Sequence, residues 1–395
     1  MKRNLWIIGT VAVIVLGAAA VSFIMRPQLG DVVAFDGPHQ AGVTTPQQMF
    51  VSFGAFDVTT RDRSQLRELL QEWTAAARRM SRGLPMGNPS TNRELPPADN
   101  QEVKGLKTNR LTFTFGAGPS LFDDRFGLAN RRPEALVDLP HFAGDDLNPA
   151  WSGGDLGVQI CSNDLSQAFH AMRSLVRLAR GKAVLRWLQD GFTQTNAVMK
   201  HPATGRNLFG FKDGTVNPDL SDESLLDQEV WSNDGWMKGG TYLVVRRIRM
   251  RIEAWDRDTF GNQEHIFGRD KSSGAPLGTS HERSALPLNA KNADGSPVIA
   301  EDSHTRLAHG DGTQQILRRG YSYVNGLDPK TGQLDAGLLF IAFQKDPRTG
   351  FIPIQTRLAG VDAMNEYITH VGSAIFACFP GTAPDGFVGQ TLFSN

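Results

Sequence analysis

The chain has 395 residues, more than one hydrophobic core usually serves, and 40% of them are apolar, so two packed units or one large α+β unit is expected. Lys+Arg and Asp+Glu both number 41, and a zero net charge argues against a binder that works by neutralising nucleic-acid phosphates. Two cysteines, Cys161 and Cys378, exclude a disulfide framework, a four-cysteine zinc site and a thiolate-held iron–sulfur cluster, and leave a single disulfide open.

Residues 5–25, LWIIGTVAVIVLGAAAVSFIM, carry no charge. A helix of that length reaches roughly 30 Å, the thickness of a bilayer's hydrocarbon layer. Lys2 and Arg3 precede it and favour a cytoplasmic amino terminus. Two readings stay open: an uncleaved membrane anchor, or a signal peptide cut near Ala18-Ala19-Ala20. Under either, the rest of the chain is expected to be exported, periplasmic or extracytoplasmic. Residues 26–40 read as a linker.

Residues 49–58, MFVSFGAFDV, are aromatic and β-branched and read as a strand. Leu66, Leu69, Leu70 and Trp73 recur at three and four, which predicts a helix over 62–80 that stops at Gly83-Leu84-Pro85. Strands are expected at 111–115 and 155–161. A second long helical pattern runs over 164–188, with Ala168, Met172, Leu175, Leu178 and Leu185 on one side. The order then repeats: a strand at 241–249, a helix from 250–257, a strand at 337–344 and a helical pattern over 360–378. Between them, 267–313 is rich in Gly, Ser and Asp, and a stretch of this length without its own elements is usually functional. The doubled strand–helix–strand–strand–helix order predicts an α+β fold of two ferredoxin-like modules with packed antiparallel sheets. The expected division is 1–30 as leader or anchor, 31–225 as the first module and 226–395 as the second.

Three groupings bear on chemistry. In Gly210-Phe211-Lys212-Asp213-Gly214, a carboxylate sits between turn-forming glycines and is aimed in a fixed direction. His304, in Ser303-His304-Thr305-Arg306-Leu307-Ala308-His309, ends the polar stretch and reads either as a metal ligand or as a surface residue. Arg318 and Arg319 are adjacent in a strand-like run, so they point to opposite faces, and the one facing inward needs an anion such as a carboxylate, a propionate or a developing oxyanion. There is no Walker loop, Gly-x-Ser-x-Gly elbow or HExxH, and no pair of histidines has the spacing of a zinc site. Gly116-Ala117-Gly118 opens onto Pro119 and is not a dinucleotide fingerprint.

Taken in order, these pieces resemble the dye-decolourising peroxidase family, and within it the iron-uptake-associated deferrochelatase/peroxidase branch. The resemblance runs from about residue 36 to the carboxyl terminus. It is carried by FDGPHQAGVTTPQ (35–47), FTFGAGPSLFD (113–123), DLGVQICSND (155–164), GFKDGTVNP (210–218), IFGRDKSSGAPLG (266–278), SHTRLAH (303–309), ILRRGYSY (316–323), FQKDPRTGFIPIQTRLAG (343–360) and MNEYITHVGSAIFACFPG (364–381). The GxxDG element alone is weak; the ordered set is specific.

The resemblance implies a dimeric α+β barrel type of fold, one haem b per chain and a peroxidase activity. It implies His304 as the axial ligand of haem iron, Asp213 as the distal acid/base and Arg318 as the group that stabilises charge while the O–O bond breaks. It places Arg306 against a haem propionate. An acceptor behind the ligand histidine would tune the iron; Glu366 is the expected one, with Asp362 its rival. The implied partners are hydrogen peroxide and small organic donors such as dyes, phenolics or porphyrinogens. The alternative is a deferrochelatase or haem carrier that releases iron to uptake partners. No nucleic acid is expected, and homo-oligomerisation is left open. Some positions depart from the family pattern. Thr305 follows the ligand, His309-Gly310 replaces Asn-Pro, the loop from His304 to Arg318 is short, and Lys2-Arg3 stands where the branch carries a twin-Arg signal. His309 therefore competes as ligand, but His304 holds the motif position.

Overall fold

Strand and helix alternate in the same order twice. The computed structural model describes residues 31–87, 92–195, 199 and 203–394. The charge-free run at 5–25 lies outside them, and among the described residues no helix is long and apolar enough to cross a membrane. The first half runs β1 (Phe50–Val58), α1 (Arg63–Met80), β2 (Thr112–Ala117), β3 (Leu156–Ser162), α2 (Leu165–Leu178) and β4 (Ala183–Phe192). Its antiparallel sheet has the order β4-β1-β3-β2. After a short helix α3 (Glu223–Glu229), the second half runs β5 (Thr241–Met250), α4 (Ile252–Trp255), α5 (Phe260–Phe267), α6 (His304–His309), β6 (Leu317–Arg318), β7 (Tyr321–Leu327), β8 (Leu334–Gln344), α7 (Phe351–Val361) and β9 (Ile368–Cys378). Its sheet, β7-β8-β5-β9 with β6 beside β8, repeats the order of the first. The edges join: Gly116 and Ala117 of β2 pair with Cys378 and Ala377 of β9, and Phe192 of β4 pairs with Ser322 of β7. The two ferredoxin-like sheets, which the doubled pattern predicts, thus close into one antiparallel barrel, which the family resemblance implies.

Closure explains why the strands are apolar on both faces. Inside the barrel, Val51, Phe53 and Ala55 of β1 meet Leu243 and Val245 of β5, Ile341 and Phe343 of β8, and Phe376 of β9. On the outer face Phe56 packs under Leu66, Leu69, Leu70 and Trp73 of α1. Asp62 caps α1 by accepting from the Ser64 N–H, and the Trp73 indole donates to the Leu175 carbonyl at 3.0 Å, tying α1 to α2. Each such apolar side chain contributes about 1.5–3 kcal/mol by burial, against about 0–1 for an exposed ion pair, so this double core holds the barrel. Cys161 and Cys378 are buried free thiols, not a disulfide.

Two expected helices are corrected. The pattern over 164–188 is helical only to Leu178. Gly181 then turns the chain at φ +78°, and 183–192 forms β4, whose exposed and buried residues alternate. The helical pattern over 360–378 is instead the strand β9, preceded by a 3-10 turn at Ala363–Glu366. The last five residues of β9, Ala374–Cys378, are buried on both faces, Ile375 and Ala377 in the outer cluster and Ala374, Phe376 and Cys378 in the inner one, so they lose the alternation that marks a strand. The helix belongs earlier, at α7, where Pro353 sits in the first turn and so removes an N–H that has no intrahelical partner.

Candidate active site

A third apolar cluster lies beneath the long loop of the second half. Phe209 and Phe211 come from the loop before Asp213, Trp255 from α4, Ile266 and Phe267 from α5, and Met364 and Tyr367 from the turn before β9. Phe211 stacks on Phe267 with ring centroids 3.8 Å apart, and Phe267 leans on His304 at 6.1 Å. This aromatic wall joins the segment carrying Asp213 to the segment carrying His304.

His304 is the first residue of α6, with Ser303 at the N-cap. Ser303 is fully buried and donates its hydroxyl to the Ala300 carbonyl. It also packs on Gly268, which ends α5 at φ +74°. A Cβ there would lie 3.0 Å from both Ser303 Oγ and Ile299. Glycine is needed at this position for the left-handed turn and for the close approach that seats His304.

His304 Nδ1 lies 2.7 Å from Asp362 Oδ2. The Asp362 side chain is 1% exposed and its other oxygen accepts from the Met364 N–H at 2.9 Å. A carboxylate only accepts, so Nδ1 carries a proton and Nε2 is the nitrogen left to face the site. Among the described residues Nε2 has no hydrogen-bond partner, and the His304 side chain is 30% exposed. An imidazole with a buried carboxylate behind it and an Nε2 without a protein partner in front has the form of a haem-iron donor. The partner is the rival Asp362, not Glu366. Asp362 ends α7 with its carboxylate turned inward, whereas Glu366 sits four residues on at the end of the 3-10 turn with its side chain exposed. His309, at the far end of α6, is exposed.

Asp213 and Arg318 come together from segments 105 residues apart. Arg318 Nη1 donates to Asp213 Oδ1 at 2.7 Å, with the two side chains 28% and 26% exposed. Gly210 and Gly214, at φ +84° and +108°, make the turn that aims the carboxylate, as their spacing predicts. Asn217 clamps the other partner: its Nδ2 donates to the Arg318 carbonyl at 2.7 Å and its Oδ1 accepts from the Arg318 N–H at 3.1 Å. Sequence reasoning passed over Asn217; its place in the same loop as Asp213, just before Pro218, was the available signal. The pair faces a polar cavity bordered by Gln47, Thr193, Arg206, Asn207, Gly320 and Leu338.

Arg319 points the other way, as its position beside Arg318 requires. It is 2% exposed and meets neutral acceptors, the Thr45 carbonyl and Gln48 Oε1, rather than an anion. Arg306 lies in α6, two residues past His304. Its Nη1 donates to the Leu288 and Ile299 carbonyls at 3.0 and 3.2 Å, so it fastens the long loop to α6.

The comparisons with known proteins bear on this arrangement. Residues 40–193 match the family described as Dyp-type peroxidase, N-terminal, and residues 204–383 match Dyp-type peroxidase, C-terminal. The chain therefore belongs to the Dyp-type peroxidase family. It is a peroxidase, an oxidoreductase, and its cofactor is haem. It is similar to deferrochelatase of Escherichia coli (strain K12), 40% identical over 359 residues that cover 88% of this chain and 84% of that protein. Deferrochelatase of Shigella flexneri is likewise 40% identical, covering 91% and 87%. Among solved structures, an oxyferrous complex of DtpA from Streptomyces lividans superposes with a TM-score of 0.85 at 38% identity, covering 92% of this chain and 98% of that one. A DyP-type peroxidase from Cellulomonas bogoriensis superposes with a TM-score of 0.84 at 37% identity, covering 93% and 99%.

Proposed function

We propose that this chain is an exported haem peroxidase that reduces hydrogen peroxide and oxidises small organic donors in one-electron steps. In this reading His304 holds the iron and Asp213 with Arg318 activates the peroxide. The single observation that carries it is the pairing of two complementary sets. One is a histidine with a free Nε2 backed by the buried Asp362; the other is a carboxylate and guanidinium at a cavity, each about a quarter exposed. The charge-free run behind Lys2 and Arg3 supports export.

Haem, when bound, supplies the redox chemistry; the protein orients and tunes it. Asp362 keeps the proton on His304 Nδ1 and raises the basicity of Nε2. Peroxide must lose a proton from one oxygen and gain one at the other. Asp213, as a carboxylate, takes the first and returns it, an exchange worth about 10²–10⁴ in rate. Arg318 puts a fixed positive charge where negative charge develops. Arg318 also holds Asp213 in place through the 2.7 Å bond from its Nη1 to Oδ1.

The test is the second-order rate of reaction of the haem-loaded protein with peroxide, followed by absorbance. Asp213→Asn is expected to slow it by about 10²–10⁴ and Arg318→Leu by about 10²–10³. Wild-type rates in both variants would remove the distal pair from the mechanism. A second reading, release of iron from intact haem, is supported by relatives named deferrochelatase that match most of their length. Its signature is metal-free porphyrin fluorescence from the haem-loaded protein without peroxide.

A further inference from the structure

The loop that carries Asp213 is built of turns: the Asn207 N–H meets the Phe211 carbonyl at 3.0 Å and the Asp213 N–H meets the Gly205 carbonyl at 2.9 Å, around the isolated bridge Arg206↔Lys212. Side chains tie it to the rest of the fold. Three of its own converge on one residue outside it. Thr215 Oγ1 donates to Glu282 Oε1 at 3.0 Å, Thr204 Oγ1 donates to the same oxygen, and Lys212 Nζ pairs with Oε2. Lys212 precedes Asp213 by one residue and Thr215 follows it by two, so Glu282 grips the loop on both sides of the carboxylate.

Glu282 lies in the long loop between α5 and α6, and it is itself held. Arg269, 8% exposed, donates to the Glu282 carbonyl at 3.1 Å and to the Gly274 carbonyl at 2.7 Å. The side chains of Glu282 and Lys212 are only 17% and 15% exposed, so the pair is shielded from bulk water. Burial alone would raise the Glu282 carboxyl, but its three donors more than offset that and hold it below the ordinary glutamate range. It is a full charge at neutral pH.

We infer that Glu282 is a positioning residue of the peroxidase reaction: by receiving Thr204, Lys212 and Thr215 together it sets the direction of Asp213. The same loop ends at Ser303-His304, so one segment governs both faces of the site. The inference rests on the reading that Asp213 moves the proton. The charged groups around the junction are Arg318 on Asp213, Lys212 and Arg269 on Glu282, Arg206 on the Gly210, Lys271 and Ser272 carbonyls, and Lys271, whose N–H meets Glu264. Glu282 neutralises the cation next to Asp213. Removing it has two separable effects: the loop loses its anchor, and Lys212 stands unpaired beside Asp213.

The experiment uses the full-length haem-loaded protein and compares Glu282→Gln, Glu282→Gln with Lys212→Met, Glu282→Asp and, alongside, Asp213→Asn. Glu282→Gln is expected to lower the plateau rate with peroxide by about ten- to a hundredfold, the scale of a small misplacement. Amide hydrogen exchange in 203–217 is expected to speed up. The unpaired ammonium favours ionised Asp213, so the acid limb of the pH–rate profile moves to lower pH. Adding Lys212→Met returns that limb but not the rate, a pattern that a merely structural strut would not produce. Glu282→Asp, with the carboxylate kept but one methylene shorter, restores the acid limb and part of the rate; it carries the test if the Gln variant does not fold. A slow Asp213→Asn with a wild-type rate, acid limb and exchange in Glu282→Gln overturns the inference alone. A wild-type rate in Asp213→Asn overturns the distal reading and this inference with it.

Discussion

Two Asp–Arg pairs in this barrel have the same chemistry and opposite surroundings. Asp213 and Arg318 meet at a cavity, each about a quarter exposed, and come from a loop and a two-residue strand. Asp145 and Arg246 meet with 0% and 1% of their side chains exposed, against the ring of Phe142, with Arg246 on the central strand β5. The first pair keeps access to a small molecule. The second cannot be reached, and burial pulls the Arg246 guanidinium down despite the carboxylate beside it. Placement, more than residue type, separates a pair suited to moving a proton from one that only holds strands together. Arg318 and Arg246 should therefore be distinguishable by measuring stability and rate on the same variants.

Arg246→Met attacks the buried pair and leaves Asp145 as an uncompensated charge. It is expected to cost about 3–5 kcal/mol in denaturant unfolding. Asp213→Asn, by contrast, should move stability by less than about 1 kcal/mol, because its pair is partly solvated, while carrying the large loss in peroxide rate. If the two variants exchanged these phenotypes, the comparison would be broken.

Asp362→Asn sharpens the proximal side. The amide keeps the shape but loses the charge behind His304, and haem affinity should fall about 10–100-fold by titration of the haem-free protein. Glu366→Gln, on an exposed side chain, should leave it unchanged.

His370 gives a pH signature to the buried network. It lies on β9, 4.0 Å from Asp145, and burial, with Arg246 and His304 adding to it, pushes its pKa down to about 3. The folded protein keeps it neutral. The unfolded chain takes up a proton near pH 6.5 that the folded one refuses, so its contribution to stability is present above that pH. It is lost progressively as pH falls from about 6.5 toward 3. His370→Gln should flatten the denaturation midpoint over that window. The smallest effect is expected at the N-cap of α2, where Asp164 accepts from the Gln167 N–H at 3.0 Å. Asp164→Ala should cost about 1 kcal/mol in thermal unfolding and leave the peroxide rate alone.

The sequence made the site legible where one contiguous segment carries the geometry. Asp213 sits between two glycines whose only use is the turn they make, and Arg318 and Arg319 diverge because strand neighbours must. It was silent where the geometry is long-range. Asp362 and Glu366 are both acidic residues near the right place. What separates them is that α7 ends at Val361 and the chain then turns through 3-10 geometry into β9, which leaves Asp362 facing inward and Glu366 facing solvent. Glu282 has no motif at all; its partners are about 70 residues away in sequence. In the fold, the doubled order was readable, but the end of β9, buried on both faces, mimics an apolar helix. Arg306 has a structural tie that its motif position does not announce: its Nη1 donates to the Leu288 and Ile299 carbonyls of the long loop.

We propose His304, backed by Asp362, as the iron ligand, and Asp213 with Arg318 as the pair that activates peroxide. The most direct measurement is the absorption spectrum of the haem-loaded full-length protein before and after one equivalent of peroxide, in wild type and in His304→Ala with and without added imidazole. Wild type is expected to hold stoichiometric haem with a Soret band that shifts on peroxide, His304→Ala to lose both, and imidazole to restore them. An unchanged spectrum and an unchanged response to peroxide in His304→Ala would contradict that assignment.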